Sequence, residues 1–313
     1  MKFYSTNAID KKDCTYNIIF GERSNGKTYE LLKKGLEEYW ASGGQLAYVR
    51  RWKEDISGRR AQRLYAGINE NQEVERITDG KFAGVHYYAG RFYLCNYDEN
   101  GKAIYGDSDV IAFTFALSDG EHDKSTSFPN VNIIAFDEFL TGKLYLQDEF
   151  VSFMNVVSTI VRKRQDVKIY MLGNTVNKYC PYFQEMGLNH ILKMEQGTID
   201  VYRYGESPMK VAVEYCKSNT TGKANNSKYF AFDNPKLEMI TGGAWEMNIY
   251  PHLPHKYKPR DVLLTYFISF NDEVFQCEVI EVKGDLFTYV HRKTTPIKNE
   301  DDLVYCLDPS SSP

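Results

Sequence analysis

The stretch Gly21-Glu22-Arg23-Ser24-Asn25-Gly26-Lys27-Thr28 decides the fold. It matches GxxxxGK[ST] in full. Before it, TYNIIF (15–20) is rich in β-formers. After it, KTYELLKKGLEEYW (27–40) puts Leu31, Leu32, Leu36 and Tyr39 near one helical face. The order predicted is strand, phosphate-binding loop, helix. Glycines let the backbone approach an anion with no Cβ in the way. Amides of the loop and of the helix N-terminus then face the phosphate oxygens. Ser42-Gly43-Gly44 stops the helix, and QLAYVRR (45–51) reads as a second strand. A chain that opens this way is building a parallel α/β sheet.

Working outward, all of Gly21, Glu22, Arg23, Ser24, Asn25, Gly26, Lys27 and Thr28 are candidate nucleotide-binding positions. Lys27 is placed to reach the β and γ phosphates, and Thr28 to offer its hydroxyl to Mg²⁺. Downstream, NIIAF (132–136) reads as a buried strand that ends in Asp137-Glu138. The carboxyl end of such a strand is where ligands bind in open α/β sheets. Asp137 is the candidate for the Mg²⁺ shell, and Glu138 for orienting or deprotonating the attacking water. The adjacent acidic residue points to ATP hydrolysis rather than to GTPases that rely on Gln. Asn177-Lys178 is followed by Tyr179-Cys180, so no NKxD guanine-recognition element is present. ATP and Mg²⁺ are therefore the expected cofactors.

Three further features have two readings each. VKIYMLGN (167–174) is a strand ending in Asn174, either a γ-phosphate sensor or a plain strand-end turn residue. An apolar-patterned helix over about 147–163 leads into Arg162-Lys163-Arg164. These cations either complement the helix C-terminus or supply an arginine finger to ATP on a neighbouring copy. Arg50, Arg51 and Lys53, with Arg59, Arg60 and Arg63 beyond, form a local basic cluster. It is either a solvated face or a contact for phosphate or DNA.

The remaining sequence bounds the architecture. Residues 82–96 suggest a hairpin turning at Ala89-Gly90, 97–102 an exposed turn, VIAFTFAL (110–117) a strand and 118–130 a polar loop. After about 200 the texture changes. CKSNTTGKANNSK (216–228) and PHLPHKYKPR (251–260) read as linker or boundary. DVLLTYFISF, VFQCEVIEV and LFTYVHRK then read as three strands, with turns at Asn271-Asp272 and Gly284-Asp285, before a disordered DPSSSP tail. The expected division is 1–200, a linker over 201–255, and a small β-rich domain over 256–313. Six cysteines without a CxxC pair argue against zinc and for free thiols. A net charge of −4 argues against a dedicated tight nucleic-acid binder but leaves room for a local basic surface. No apolar run approaches the roughly 20 residues of a bilayer span. The N-terminus lacks the apolar core and cleavage pattern of a signal peptide.

GERSNGKT (21–28), AYVRRWK (47–53), SFPNVNIIAFDEF (127–139), TIVRKR (159–164) and LGN (172–174), in this order, resemble the DNA-encapsidation ATPases of small phi29-type podophages. The resemblance implies an additional-strand P-loop ATPase domain, RecA-like and related to the FtsK and HerA translocases. It further implies a small C-terminal β-rich domain, a vestigial relative of RNase H nucleases. VLLTYFISF (262–270) has no central carboxylate, so two-metal cleavage is not expected. Five copies would form a ring at the portal (connector) of a procapsid in the host cytoplasm and drive double-stranded DNA inward. A packaging RNA bridges ring and portal in some members. The acidic charge suggests that the isolated chain is monomeric, and no membrane is involved. Carried over by position, Lys27 and Thr28 bind phosphate and Mg²⁺, Asp137 is the Walker B acid and Glu138 the base. Arg23 would pair with Glu138 and hold it from water until DNA binds. Arg162 would be the trans finger, Lys53 would act near the nucleotide lid, and Asn174 would be the sensor. A terminase-like nuclease and a non-motor nucleotide switch are the alternatives.

Overall fold

The computed structural model describes residues 4–119, 126–177, 179–217, 245, 257–270, 273–297, 299 and 301–306. A short helix α1 (Asn7–Asp10) precedes β1 (Tyr16–Gly21), α2 (Lys27–Ser42) and β2 (Gln45–Arg50). Helix α2 stops where Gly43 takes a left-handed conformation, φ 78°. Three short helices follow, α3 (Gly58–Leu64), α4 (Ala66–Glu70) and α5 (Glu73–Ile77). Strands β3 (Gly84–Tyr88) and β4 (Arg91–Tyr97) make the expected hairpin. Ala89 and Gly90 both have positive φ, which suits the twist of a two-residue turn. Then come β5 (Ala103–Ile104), β6 (Val110–Ala116), β7 (Val131–Asp137), α6 (Glu149–Val161), β8 (Lys168–Asn174), α7 (Pro181–Glu185), β9 (Thr198–Arg203) and β10 (Lys210–Cys216).

These strands form one sheet in the order β3-β4-β6-β2-β7-β8-β1-β10-β9, with β5 paired to β4. Strands β6, β2, β7, β8, β1 and β10 run parallel, and antiparallel strands cover the two margins. Strand β8 lies between the strand that feeds the phosphate loop and the strand that ends in Asp137. This is the additional-strand arrangement that the resemblance implied.

Alternation along the strands sends side chains to two cores, one on each face. Ile19, Leu46 and Tyr48 pack with Leu31, Leu32 and Leu36 of α2. Ile18, Phe20, Ala47, Val49 and Phe136 pack with Phe153, Val157 and Ile160 of α6. Burying both faces explains why the central strands read as continuous apolar runs.

The expected domain end at 200 needs correction. Strand β10 pairs with β1 in parallel from Tyr16↔Val211 to Gly21↔Cys216, so the sheet continues through Cys216. Most of the expected linker, 218–244 and 246–255, lies outside the described residues, as do 256, Asn271-Asp272 and the tail from 307.

A second sheet holds β11 (Val262–Phe270), β12 (Glu273–Val282), β13 (Asp285–Lys293) and β14 (Val304–Cys306), in the order β13-β12-β11-β14. β11 to β13 are antiparallel, and β14 runs parallel to β11. The expected three strands are there, with a fourth that the sequence reading missed. The β12–β13 turn sits at Lys283-Gly284, both with positive φ, one residue before the expected Gly284-Asp285. The segment after β8 meets the end of β13, where Asn177 Nδ2 donates to Arg292 O (3.3 Å) and Thr294 Oγ1 to Tyr179 O (2.6 Å). All six cysteines are free thiols, five of them buried. Among the described residues no helix is long and apolar enough to cross a membrane.

Gly21 has little room for a side chain. A Cβ there would lie 2.4 Å from Cys216 O and 2.7 Å from Cys216 Sγ. Gly21→Ala should therefore lower the unfolding free energy by about 1–3 kcal/mol, the usual cost of overpacking. Gly43→Ala meets nothing within 4 Å and should lose only about 1–2 kcal/mol, from its left-handed backbone. Urea titration of both variants measures this. A Gly21→Ala protein as stable as the parent would contradict the packing described.

Candidate active site

The carboxyl ends of β1, β8, β7 and β2 meet along one edge of the sheet. Gly21 closes β1, and the loop turns into α2 through two left-handed residues, Ser24 (φ 57°) and Gly26 (φ 92°). Backbone and side-chain contacts brace it. Tyr4 N donates to Asn25 O (2.9 Å), Thr175 N to Gly21 O (3.1 Å) and Asn25 Nδ2 to Cys216 Sγ (3.2 Å). The N-terminus of the 16-residue helix α2 then opens on a cleft of about 220 Å³. Ser24 to Tyr29, Asp137, Glu138, Gly173 and Asn174 line it. That volume is below the roughly 300–1,000 Å³ of a whole-ligand pocket and suits a phosphate chain.

Lys27 is only 6% exposed. Its ammonium donates to Glu22 O (2.6 Å), Asn25 Oδ1 (3.1 Å) and Asn174 Oδ1 (3.3 Å). Burial holds its pKa below the usual lysine range, and nearby Asp137 offsets part of that. A buried cation held by neutral acceptors gains from an arriving anion. Asn174 is thus in direct contact with the lysine that an anion would draw away.

Thr28 Oγ1 donates to Asp137 Oδ2 at 2.9 Å. A hydroxyl and a carboxylate side by side next to a phosphate cleft fit Mg²⁺, which takes one or two protein oxygens and keeps water and phosphate for the rest. Tyr48 OH donates to the same Oδ2 at 2.7 Å. Burial, then the Asp137 charge, raises the Tyr48 pKa far above its ordinary value, so it stays a neutral donor.

Glu138 follows in a left-handed conformation, φ 58°, which β-carbon crowding disfavours for any residue but glycine. Its N–H donates to Asp137 Oδ1 (2.9 Å), and its exposed carboxylate receives Arg50 Nη2 at 2.5 Å. Arg50 also lies 3.8 Å from Asp137 and 3.6 Å from Asp55. The expected Arg23–Glu138 pair is therefore absent. Arg23 is exposed and makes no ion pair among the described residues, while Arg50 holds the carboxylate.

The basic cluster also divides. Arg50 shares a face of β2 with Tyr48, so it meets Asp137 and Glu138. Arg51 points the other way and is buried against Glu149, at 2.7 Å. Lys53 is exposed, pairs with Asp119 (2.6 Å) and does not line the cleft. Arg60 pairs with Asp55 (2.9 Å), and Arg59 and Arg63 are exposed.

Arg162 follows α6 with φ 50° and donates to Thr126 O (2.8 Å). Its neighbour Arg164 reaches Pro129 O and Val131 O, at the amino-terminal end of β7. Arg162 thus occupies the edge of the sheet opposite the phosphate loop. The structure gathers Lys27, Thr28, Asp137, Glu138 and Asn174; it does not bring Arg23, Lys53 or Arg162 to them.

The family described as podovirus DNA encapsidation protein (Gp16) matches residues 1–203. The chain belongs to that family. The DNA packaging protein of Bacillus phage phi29 is 26% identical over 185 residues, 58% of this chain and 49% of that protein. The DNA packaging protein of Bacillus phage B103 is 25% identical over 179 residues, 56% of this chain and 49% of that protein. The chain spans about half the length of these curated relatives. Among solved structures, the N-terminal domain of the DNA packaging ATPase from bacteriophage phi29 aligns with TM-score 0.55 at 23% identity, covering 70% of this chain and 99% of that one. The Phi-28 gp11 DNA packaging motor aligns with TM-score 0.57 at 18% identity, covering 99% and 85%. At these identities the structural likeness establishes the fold.

Tyr48 lies within AYVRRWK, but the sequence reading gave it no role. Tyr48→Phe removes a buried hydrogen bond to a carboxylate and should cost about 1.5–3 kcal/mol of unfolding free energy. An unchanged urea midpoint would show that the bond contributes nothing.

Proposed function

We propose that this protein is an ATP-driven double-stranded DNA translocase that packages a viral genome into a procapsid. One observation carries the reading. The order β2-β7-β8-β1 brings Lys27, Thr28, Asp137, Glu138 and Asn174 to one cleft. Membership of the encapsidation family supplies the substrate class.

In this reading Lys27 and the loop amides bind the ATP phosphates, and Thr28 and Asp137 hold Mg²⁺. The cation, when bound, neutralises the charge that builds on the phosphates. Glu138 orients the attacking water and takes its proton. It can do so only after its carboxylate leaves Arg50. Arg50 is therefore the switch that the sequence assigned to Arg23. Asn174 senses the phosphate chain through its contact with Lys27. Arg162 acts on the site of a neighbouring copy, because its own cleft is at the far edge of the sheet. The partners are DNA, the procapsid portal, further copies in a ring and, where one bridges ring and portal, a packaging RNA. The place of action is the portal vertex in the host cytoplasm. The lack of any carboxylate on β11 weighs against a nuclease.

The test is ATP hydrolysis across protein concentrations, with and without double-stranded DNA. Turnover should rise faster than linearly with protein, be stimulated by DNA and disappear in Lys27→Ala, in Glu138→Gln and on chelation of Mg²⁺. Linear turnover indifferent to DNA would sink the motor reading in favour of a nucleotide switch. Arg50→Ala should raise DNA-independent hydrolysis; lower basal turnover would contradict the switch. Arg162→Ala should stay inactive alone and regain partial activity when mixed with Lys27→Ala. Full activity of Arg162→Ala by itself would remove the trans assignment.

A further inference from the structure

Arg51 and Glu149 form a buried pair beside the cleft, on the α6 face of the sheet. Arg51 is 6% exposed and Glu149 1%. Arg51 Nε meets Glu149 Oε2 at 2.7 Å, and Nη2 meets Oε1 at 2.9 Å. Both carboxylate oxygens have a second donor, Tyr182 OH on Oε1 (2.9 Å) and Leu146 N on Oε2 (2.9 Å). The Tyr145 ring lies 4.9 Å from the guanidinium carbon. Two more guanidinium hydrogens go to main-chain oxygens. Nη1 donates to Glu138 O (3.2 Å) and Nη2 to Phe139 O (2.8 Å).

These are the two carbonyls of the turn that carries the proposed base. The turn's amides are held as well, Glu138 N by Asp137 Oδ1 and Phe139 N by Leu172 O (3.1 Å). Glu138 has the positive φ that a side chain resists, so its conformation persists only where the surroundings fix it. The contrast within the residue is informative. Its backbone N–H and carbonyl are both held, whereas its carboxylate is exposed and, among the described residues, rests on Arg50. That is the construction of a head that swings on a fixed base.

We infer that Arg51, fixed by Glu149, is a positioning residue for Glu138: it holds the left-handed turn so that the carboxylate, once released by Arg50, points at the attacking water. The inference rests on Glu138 being the base. It assigns to Arg51 no contact with nucleotide and no part in binding it. A fork with several donors is required, since a lysine ammonium cannot span Glu149 and both carbonyls. Displacement of a reacting group by about 1 Å can cost a factor on the order of 100 in rate.

The experiment uses the full chain under the DNA-stimulated conditions above. It compares the parent with Arg51→Lys, Glu149→Gln and Glu138→Gln. Two quantities are read, kcat for ATP and the Kd and stoichiometry of a fluorescent ATP analogue. Arg51→Lys should lose about 10- to 100-fold in kcat per nucleotide-binding chain while Kd stays within about twofold. Glu149→Gln keeps the side-chain length and removes the charge, and it should show the same split. It also stands in if Arg51→Lys fails to fold. A purely structural role would lower the number of binding-competent chains in both variants, or weaken Kd along with kcat in a variant that folds, and either result overturns the inference. A dead Glu138→Gln beside a fully active Arg51→Lys overturns the positioning role alone. An active Glu138→Gln overturns the reading of Glu138 as base and the positioning role with it.

Discussion

The register of β8 between β1 and β7 is the constraint on which the site depends. Gly21 faces Asn174 across one parallel pairing, and Asp137 faces Leu172 across the other. Side chains alternate between faces, so a slip of one residue would turn Asp137 away from Thr28 and into the opposite core. Correct register is enforced from both sides. Ile169 and Met171 join the core on the α6 face, and Tyr170 and Leu172 join the core on the α2 face. Apolar burial on two faces thus fixes, to within a hydrogen-bond length, where polar groups stand at the strand ends.

Much of this was legible in the sequence because the informative residues are close together in it. The loop, its flanking strand and helix, and the Asp137-Glu138 pair at the end of NIIAF are local patterns. The structure places them as expected. Strands β9 and β10 were missed because the segment from 198 to 216 carries Asp200, Arg203 and Glu206 and sits after the last recognisable motif. Val211-Ala212-Val213 was the available signal, a short apolar run preceded by Gly205 and Pro208. Its partner β1 lies nearly two hundred residues away, and no local pattern encodes a pairing of that separation.

The arginines show the opposite failure. Arg23, Arg50 and Arg51 are equally visible as basic residues near a phosphate loop. Only the three-dimensional arrangement tells that Arg50 reaches Glu138 and that Arg23 does not. The period of two along β2 would have separated Arg50 from Arg51 in advance, placing the first with Tyr48 and the second with Val49. Reading the basic stretch as one cluster ignored that alternation. Tyr48 was hidden for the same reason, since a tyrosine in an apolar strand looks like core until its hydroxyl is found on a carboxylate.

Helix α6 crosses the α6 face from Glu149, near the cleft, to Arg162 at the far edge of the sheet. The phosphate loop and Arg162 are thus on opposite margins of one molecule. A contact that brings Arg162 to the loop of another copy joins unlike surfaces. Such an interface is heterologous: it offers no self-complementary patch, and its repetition closes a ring or winds an open helix. Each added copy then completes one site and presents another still incomplete. The number of finished sites equals the number of chains only when the last copy meets the first.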